Sequence, residues 1–289
     1  MRSRSDISNS IKAIDQTSQI TKAMKLIATS KMQKAIQRYD ANLLYFNRVR
    51  AALKDILVHS RDQHHTFLER HEEGIPAYIV IAADKGLAGG YNHTILNYAY
   101  DFMTKGDKFV ITIGQEARAF FERKKVPIDV EYLHIAQNPT LYEARNLVND
   151  IAGMYRQSIM SEVYLIYTRY FSNVKQKPVA LGLLPLEMAD FEDVDIETQY
   201  AHELNYHPSP SQVFDVLVPQ YIVGLVYAAL VQAFASENSA RMMAMDNASR
   251  NADDMTAKLN IEMNHARQAA VTNEIIEIVG ALEALENEE

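Results

Sequence analysis

One segment of this 289-residue chain has the make-up to cradle an anion: Ala83-Asp-Lys-Gly-Leu-Ala-Gly-Gly-Tyr-Asn92. It follows an apolar run and opens a helical one, where α/β folds turn backbone N–H groups toward phosphates. Its glycines fit neither G-x-G-x-x-G nor G-x-x-x-x-G-K-[ST], so the lysine and hydroxyl of a P-loop are missing. A tight turn with close backbone packing is the plainer reading. His59, His64, His65 and His71 lack metal-ligand spacing such as H-E-x-x-H and read as a solvated helix end. The sequence has no cysteine, which excludes disulfides, thiolate metal sites and cysteine nucleophiles. No serine sits in a nucleophile elbow, and no carboxylate pair is singled out by its neighbours. The chain reads as non-catalytic, with no catalytic, metal or cofactor-binding residue to name.

Apolar residues make up 48% and charged residues 23%, an ordinary globular composition for one large domain or two modest ones. No run of eighteen apolar residues spans a bilayer, and no signal-peptide core follows Met1. A cytosolic chain is expected, or one held by partners on a membrane's inner face. The net charge of −8 hides an asymmetry. Residues 1–60 carry eleven Lys/Arg against four Asp/Glu, while residues 189–289 carry four against eighteen. A duplex binder would not normally carry so acidic a segment, so nucleic acid is not expected, and the two ends should attract each other.

Those ends read as long helices. Before Gly74 and Pro76 the pattern is helical from about Asp6 to about Ser60, with an apolar stripe through Ile7, Ile11, Ile14, Met24, Ala28, Met32, Ala35, Tyr39, Leu43, Phe46, Val49, Leu53 and Ile56. Polar residues interrupt it between Asp15 and Thr21, where packing should be looser or wetter. From about Ser209 a second stripe runs through Val213, Val216, Tyr221, Leu225, Ala228, Val231, Ala235, Met242, Met245, Ala248, Ala252, Met255, Leu259, Met263, Ala266 and Ala270. Helices of about 55 and 70 residues would measure roughly 80 and 105 Å. A compact domain of this length would be only roughly 50 Å across. Part of each helix must therefore project, and an antiparallel pair buries both stripes.

Between them, apolar runs at 77–83, 108–113, 128–134, 162–168 and 179–184 alternate with helical patterns at 90–105, 115–124 and 141–157. That alternation predicts a mainly parallel sheet. The fold class is α/β: a long antiparallel two-helix coiled coil from both termini (1–60 and 209–286) plus a central Rossmann-like domain (75–188). Residues 189–207, with no Lys or Arg, read as an acidic surface connector. At the far end Val271, Ile275, Ile276, Ile278, Val279, Leu282 and Leu285 should point around most of the helix, so another protein must enclose the tip.

Four motifs in order carry a family resemblance. Ile20-Thr-Lys-Ala-Met-Lys25 with Ser30-Lys-Met32 resembles the N-terminal signature of the gamma subunit of bacterial F-type ATP synthase. Asp84-Lys-Gly-Leu-Ala-Gly-Gly-Tyr-Asn92 is similar to that family's D-[RK]-G-L-C-G-G-x-N. Ser236-Glu-Asn-Ser-Ala-Arg-Met-Met-Ala-Met-Asp-Asn-Ala-Ser-Arg-Asn-Ala252 is the most specific match. Ala266-Arg-Gln-Ala269, Val271-Thr-Asn-Glu274 and Glu277 follow it. The resemblance covers Ile7 to Leu285.

The resemblance implies a central rotor shaft, one copy per complex, coupling proton or sodium flow through the c-ring to the conformational cycle of the beta subunits. Partners would be alpha, beta, epsilon and the c-ring, with no cofactor and no direct membrane insertion. Arg267, Gln268, Thr272 and Glu274 would meet a beta catch loop, an Arg–carboxylate pair being suited to forming and releasing. Met24 and Lys25 would face the beta lever. Ile275, Ile276, Ile278, Val279 and Leu282 would turn in an apolar sleeve, and Leu204, Asn205, Tyr206 and His207 belong to a foot on the c-ring or epsilon. Ala88 stands where the family has Cys, Gly280-Ala281-Leu282 loses a small residue to Leu, and Asn287 to Glu289 overrun the usual end. His265 and His207 replace a basic and an acidic residue and could make contacts pH-sensitive. With no chloroplast-type Cys insertion and no transit peptide, a bacterial source and the cytoplasmic face of the plasma membrane are expected. An unrelated coiled-coil scaffold and a nucleotide-binding α/β enzyme with helical arms remain as alternatives; only the latter would bind ATP alone.

Overall fold

The computed structural model describes residues 4–59, 65–192, 207 and 209–286. They form two compact units, one of residues 28–241 and one combining the stretches up to 27 and from 242 onward.

In the 28–241 unit, strand β1 (Ile75–Ile81) leads through helix α2 (Tyr91–Phe102) to β2 (Phe109–Ile113), then through α3 (Gln115–Arg123) to β3 (Val130–Tyr132). Helix α4 (Leu141–Arg156) then returns the chain to β4 (Met160–Ser172), which folds back as β5 (Lys175–Leu184). The sheet order is β3-β2-β1-β4-β5, parallel except for the β4–β5 hairpin. Residues of β1 alternate between two apolar layers. Ala77, Ile79 and Ile81 join α4 and the long terminal helices, while Tyr78, Val80 and Ala82 join Ile95, Leu96 and Ala99 of α2 and Phe121 of α3. Cover on both faces is what a parallel sheet needs. Thr140 starts α4 with a capping box, its hydroxyl accepting from Glu143 N while the Glu143 carboxylate accepts from Thr140 N.

The sheet is mainly parallel, as the alternation predicts, but the hairpin is longer than the apolar runs. Asn173 and Val174 make its turn, and Lys175-Gln-Lys-Pro178 continues the ladder, with Pro178 opposite Thr168. Edge position explains how a proline and three polar residues sit in a strand. The acidic connector also begins differently from a surface loop. Met188–Phe191 form a short 3-10 turn, and Phe191 is fully buried with its ring 5.3 Å from Tyr221.

Two terminal helices, α1 (Arg4–His59) and α5 (Pro210–Glu286), contribute to both units. Within the 28–241 unit, Leu53 and Ile56 of α1 and Phe214, Ile222, Val226 and Leu230 of α5 lie in the layer over β1. Every residue from Ala233 to Ser239 is buried, so here α5 is enclosed on all sides. One 18-residue window of α5 reaches a mean hydropathy of 1.8, enough by length and composition to cross a bilayer, and half of it is buried in this protein core. Enclosure accounts for that apolarity. His65 and His71 do not belong to a solvated helix end. His65 is buried, its Nδ1 accepting from Phe67 N and its Nε2 lying 3.3 Å from the Asp215 carboxylate. The His71 ring packs 4.5 Å from Tyr155. The side chains of His59 and His64 lie outside those described.

In the other unit α1 and α5 are antiparallel. Lys25 pairs with Asp246, Thr21 with Ser249, Ser18 with Asp253, and Asp15 with Thr256. Stepping back along α1 is stepping forward along α5. Buried and half-buried residues of α5 at Met242, Met245, Ser249, Ala252, Thr256, Leu259, Met263 and Ala266 follow steps of three and four that make a heptad seam, with half-buried Ala244, Asp246 and Ala248 flanking it. The seam departs from the apolar stripe at two places. Ser249 is buried beside half-buried Ala248, and Thr256 takes the place of Met255, which is 53% exposed. Nor is the polar stretch of α1 loose: Thr21 and Ser249 are both buried, with their hydroxyl oxygens 2.7 Å apart.

Candidate functional site

The Gly-rich turn 84–90 leaves β1 beside β4, where the sheet's direction of winding reverses. In an open α/β sheet that crevice is the usual ligand site. Here α5 fills it. The Tyr91 hydroxyl donates to Ala233 O (3.2 Å), Ser236 Oγ to Thr168 O (3.2 Å) and Ser239 Oγ to Asn173 O (3.0 Å). Arg241 Nη2 donates to Lys85 O (3.3 Å) and Gly86 O (3.1 Å) of the turn and lies 2.6 Å from Glu237 Oε1. Ala83, Ala88 and Tyr91 pack together with Ala240 against them. At position 88 the side chain simply packs, so Ala in place of Cys costs no contact chemistry.

Charge is concentrated at this joint. Burial pushes the Glu237 carboxyl above its usual range; Arg241 and Lys31 pull it down, and Asp84 adds to the rise. Asp84 Oδ1 accepts from Gln115 N at the start of α3 and from His134 N, while its buried Oδ2 has no partner among the described residues. Neither Gly86 nor Gly90 of the turn makes the expected close backbone packing. A Cβ at Gly86 would meet nothing, whereas one at Gly114, which has φ +98°, would strike Ala82 O. Within the turn it is Gly89, at φ +56°, that needs a glycine. Sequence reasoning singled out the turn but missed its partners; the i,i+4 acid–base pair Glu237/Arg241 inside the Ser236–Ala252 motif was the available signal.

The second candidate region is the exposed part of α5. By the seam's register, Arg4 of α1 falls opposite Arg267. Residues 267–279 are all exposed. Arg267, Gln268, Thr272 and Glu274 thus share one exposed stretch, with Thr272 Oγ1 donating to Gln268 O in the helix itself (2.9 Å). At 100° per residue, Val271, Ile275, Ile276, Ile278 and Val279 gather within roughly 160° of the helix. Asn273, Glu274 and Glu277 take the other side, so the described tip is one-sided and not apolar around most of its circumference. Met24 is half-buried, and Lys25 Nζ lies 2.5 Å from Asp246 Oδ1, whose carboxyl that contact and Arg250 hold below its usual range. Leu204, Asn205, Tyr206 and the side chain of Leu282 lie outside the described residues; His207 is exposed. No group of three or more potential metal ligands occurs among the described residues.

A protein-family model described as ATP synthase matches residues 3–285. The ATP synthase gamma chain of Ruminiclostridium cellulolyticum is 43% identical over 288 residues, covering 97% of this chain and 98% of that one. The chain belongs to the ATP synthase gamma family. A gamma chain from Pelotomaculum thermopropionicum is 37% identical, over 99% of this chain and 100% of its own. Two solved mitochondrial ATP synthases share the fold. One is the OSCP/F1/c-ring assembly of Euglena gracilis (TM-score 0.68, 16% identity, 98% of this chain and 94% of that one). The other is the central stalk and c-ring of Tetrahymena thermophila (TM-score 0.62, 22% identity, 80% and 99%). As a gamma chain this protein is part of the ATP synthase complex.

Proposed function

We propose that this gamma chain acts as a shaft that carries no active site of its own. Its α/β domain would meet epsilon and the c-ring, and its coiled coil would rise into the ring of alternating alpha and beta subunits. Ion-driven rotation then presents a different face to each beta subunit in turn, and those differential contacts couple rotation to ATP synthesis or hydrolysis. The observation that supports this best is the run of α5 beyond Arg267, about 29 Å of helix exposing five large apolar side chains on one side. An isolated helix of that kind is marginal in water and wants a partner. The filled crevice beside β1 disfavours the nucleotide-enzyme alternative.

In this reading Arg267 and Gln268 bond a carboxylate-bearing catch loop of beta, with Thr272 and Glu274 in the same zone. Ile275, Ile276, Ile278, Val279 and Leu282 turn in the sleeve, and Leu204 to His207 belong to the foot. Met24 meets the beta lever, and Lys25 reaches it in competition with Asp246. The complex would hold one copy, peripheral to the cytoplasmic face of the plasma membrane. Mixing the chain with alpha and beta subunits from the same source tests this. A ring-sized complex with one copy, whose ATPase activity is lost when the chain is omitted, is expected. Failure to associate under native conditions would overturn the proposed partners and the shaft role.

A further inference from the structure

The 28–241 unit has a second opening, remote in sequence from the Gly-rich turn. It is a cavity of about 410 Å³ between α1, α4 and α5, within the size range of sites for small organic ligands. Tyr39 and Phe46 of α1, Leu141 of α4, and Val223 and Tyr227 of α5 give it apolar and aromatic walls. Phe46 is held by stacking on Tyr221, with ring centroids 5.5 Å apart and planes 13° from parallel. A Cβ at Gly224 would collide with that ring, so the wall is already close-packed and the opening is not slack between badly fitted helices.

Polar groups reach the same cavity. The Tyr45 hydroxyl donates to Gln220 Oε1 (2.5 Å), which leaves the Gln220 amide N–H groups to donate. Asn42 Nδ2 donates to Arg38 O (2.7 Å), leaving its Oδ1 as an acceptor. Arg145 also lines the opening and has no carboxylate partner among the described residues. Apolar walls with an uncommitted guanidinium select a molecule with an apolar body and one anionic head, because the fork of N–H donors matches a carboxylate and desolvating the body is favourable.

We propose that this cavity binds a monomeric amphipathic carboxylate, its chain between Phe46, Leu141 and Val223 and its head on Arg145. The occupant would bridge α1 and α5 and resist their sliding past each other. The site stands independently of the shaft reading, since neither the catch residues nor the tip takes part in it.

Titrating laurate, below its micelle concentration, onto the full chain by calorimetry tests the site. Dodecanol of the same chain length and phosphatidylglycerol vesicles serve as comparison probes. Saturable one-to-one binding of laurate, at least ten-fold tighter than dodecanol, is expected. Arg145→Gln, an exposed substitution that leaves the fold intact, should abolish that preference without weakening dodecanol. Ala228→Leu, which fills the cavity, should weaken both ligands ten-fold or more. Non-saturating binding, equal affinity for laurate and dodecanol, or a laurate affinity unchanged in Arg145→Gln would overturn the proposal. So would binding to vesicles with none to monomeric laurate, which would assign the arginine to a lipid headgroup.

Discussion

Arg241 holds the joint between α5 and the Gly-rich turn with one guanidinium, which neutralises buried Glu237 and ties down two backbone carbonyls. Both side chains are nearly buried, 13% and 8% exposed, so losing one partner strands the other. Arg241→Ala should therefore cost about 3 kcal/mol of stability, read by urea denaturation of the chain. The pH dependence has a definite sign. Glu237 has a raised carboxyl pKa in the folded protein, so the folded state binds more protons and stability falls as pH rises through that range. Without Arg241 the carboxyl rises further, so the variant's deficit should be largest at neutral pH and shrink on acidification toward the ordinary glutamate range. A deficit constant from pH 7 to 5 would mean that Glu237 is not the stranded group. Asp246 behaves oppositely: its lowered pKa gives a contribution present at neutral pH and lost as pH falls below the usual aspartate range.

Between α1 and α5 the decisive contact is the buried Thr21–Ser249 hydroxyl pair in the seam. Such a layer fixes register at some cost in stability. Thr21 Oγ1 also donates to Ser18 O (3.0 Å), so Thr21→Val alone strands the buried Ser249 hydroxyl and should cost about 1–2 kcal/mol, Ser249→Ala should cost less, and the double variant should recover most of the Thr21→Val loss. A double-mutant cycle from thermal melts checks this; additive losses would show that the two hydroxyls do not interact. This layer marks where the sequence stops being legible. Ile79, Val163 and the alternation around them announce a buried parallel sheet, and the stripes through Ile7 and Leu259 announce paired helices. A hydrophobic stripe cannot reveal a seam that turns polar, so Ser249 stays hidden beside Ala248, and Met255 looks better placed than Thr256. Lys175 to Pro178 lie outside the apolar runs because an edge strand tolerates what a central strand does not. The filling of the crevice was hidden for a deeper reason. Ser236, Glu237 and Arg241 lie more than 140 residues from the turn, and only the tertiary fold brings them to it.

At the scale of the whole chain, the opposite charges of its ends meet in the pairs Lys22–Asp253 and Lys25–Asp246. Lys22 and Asp253 are more than half exposed, and such pairs contribute little energy in salt water, so they steer register more than they stabilise. What the chain leaves unsatisfied is the apolar side of α5 beyond Arg267. Hydrogen exchange should resolve the contrast directly. In the isolated chain, amides of residues 221–239 sit in an enclosed helix and should exchange only on opening of the core, whereas those of 271–279 should exchange within seconds, because a single exposed helix frays. Bound alpha and beta subunits should slow the second group by at least ten-fold while leaving the first unchanged. Arg267→Ala then separates catch from sleeve. It removes a charged hydrogen-bond donor but no apolar area, so tip protection should persist while ATPase activity of the complex falls several-fold. Loss of both together would place the tip's anchorage at Arg267 itself, and full activity with full protection would remove Arg267 from the coupling path.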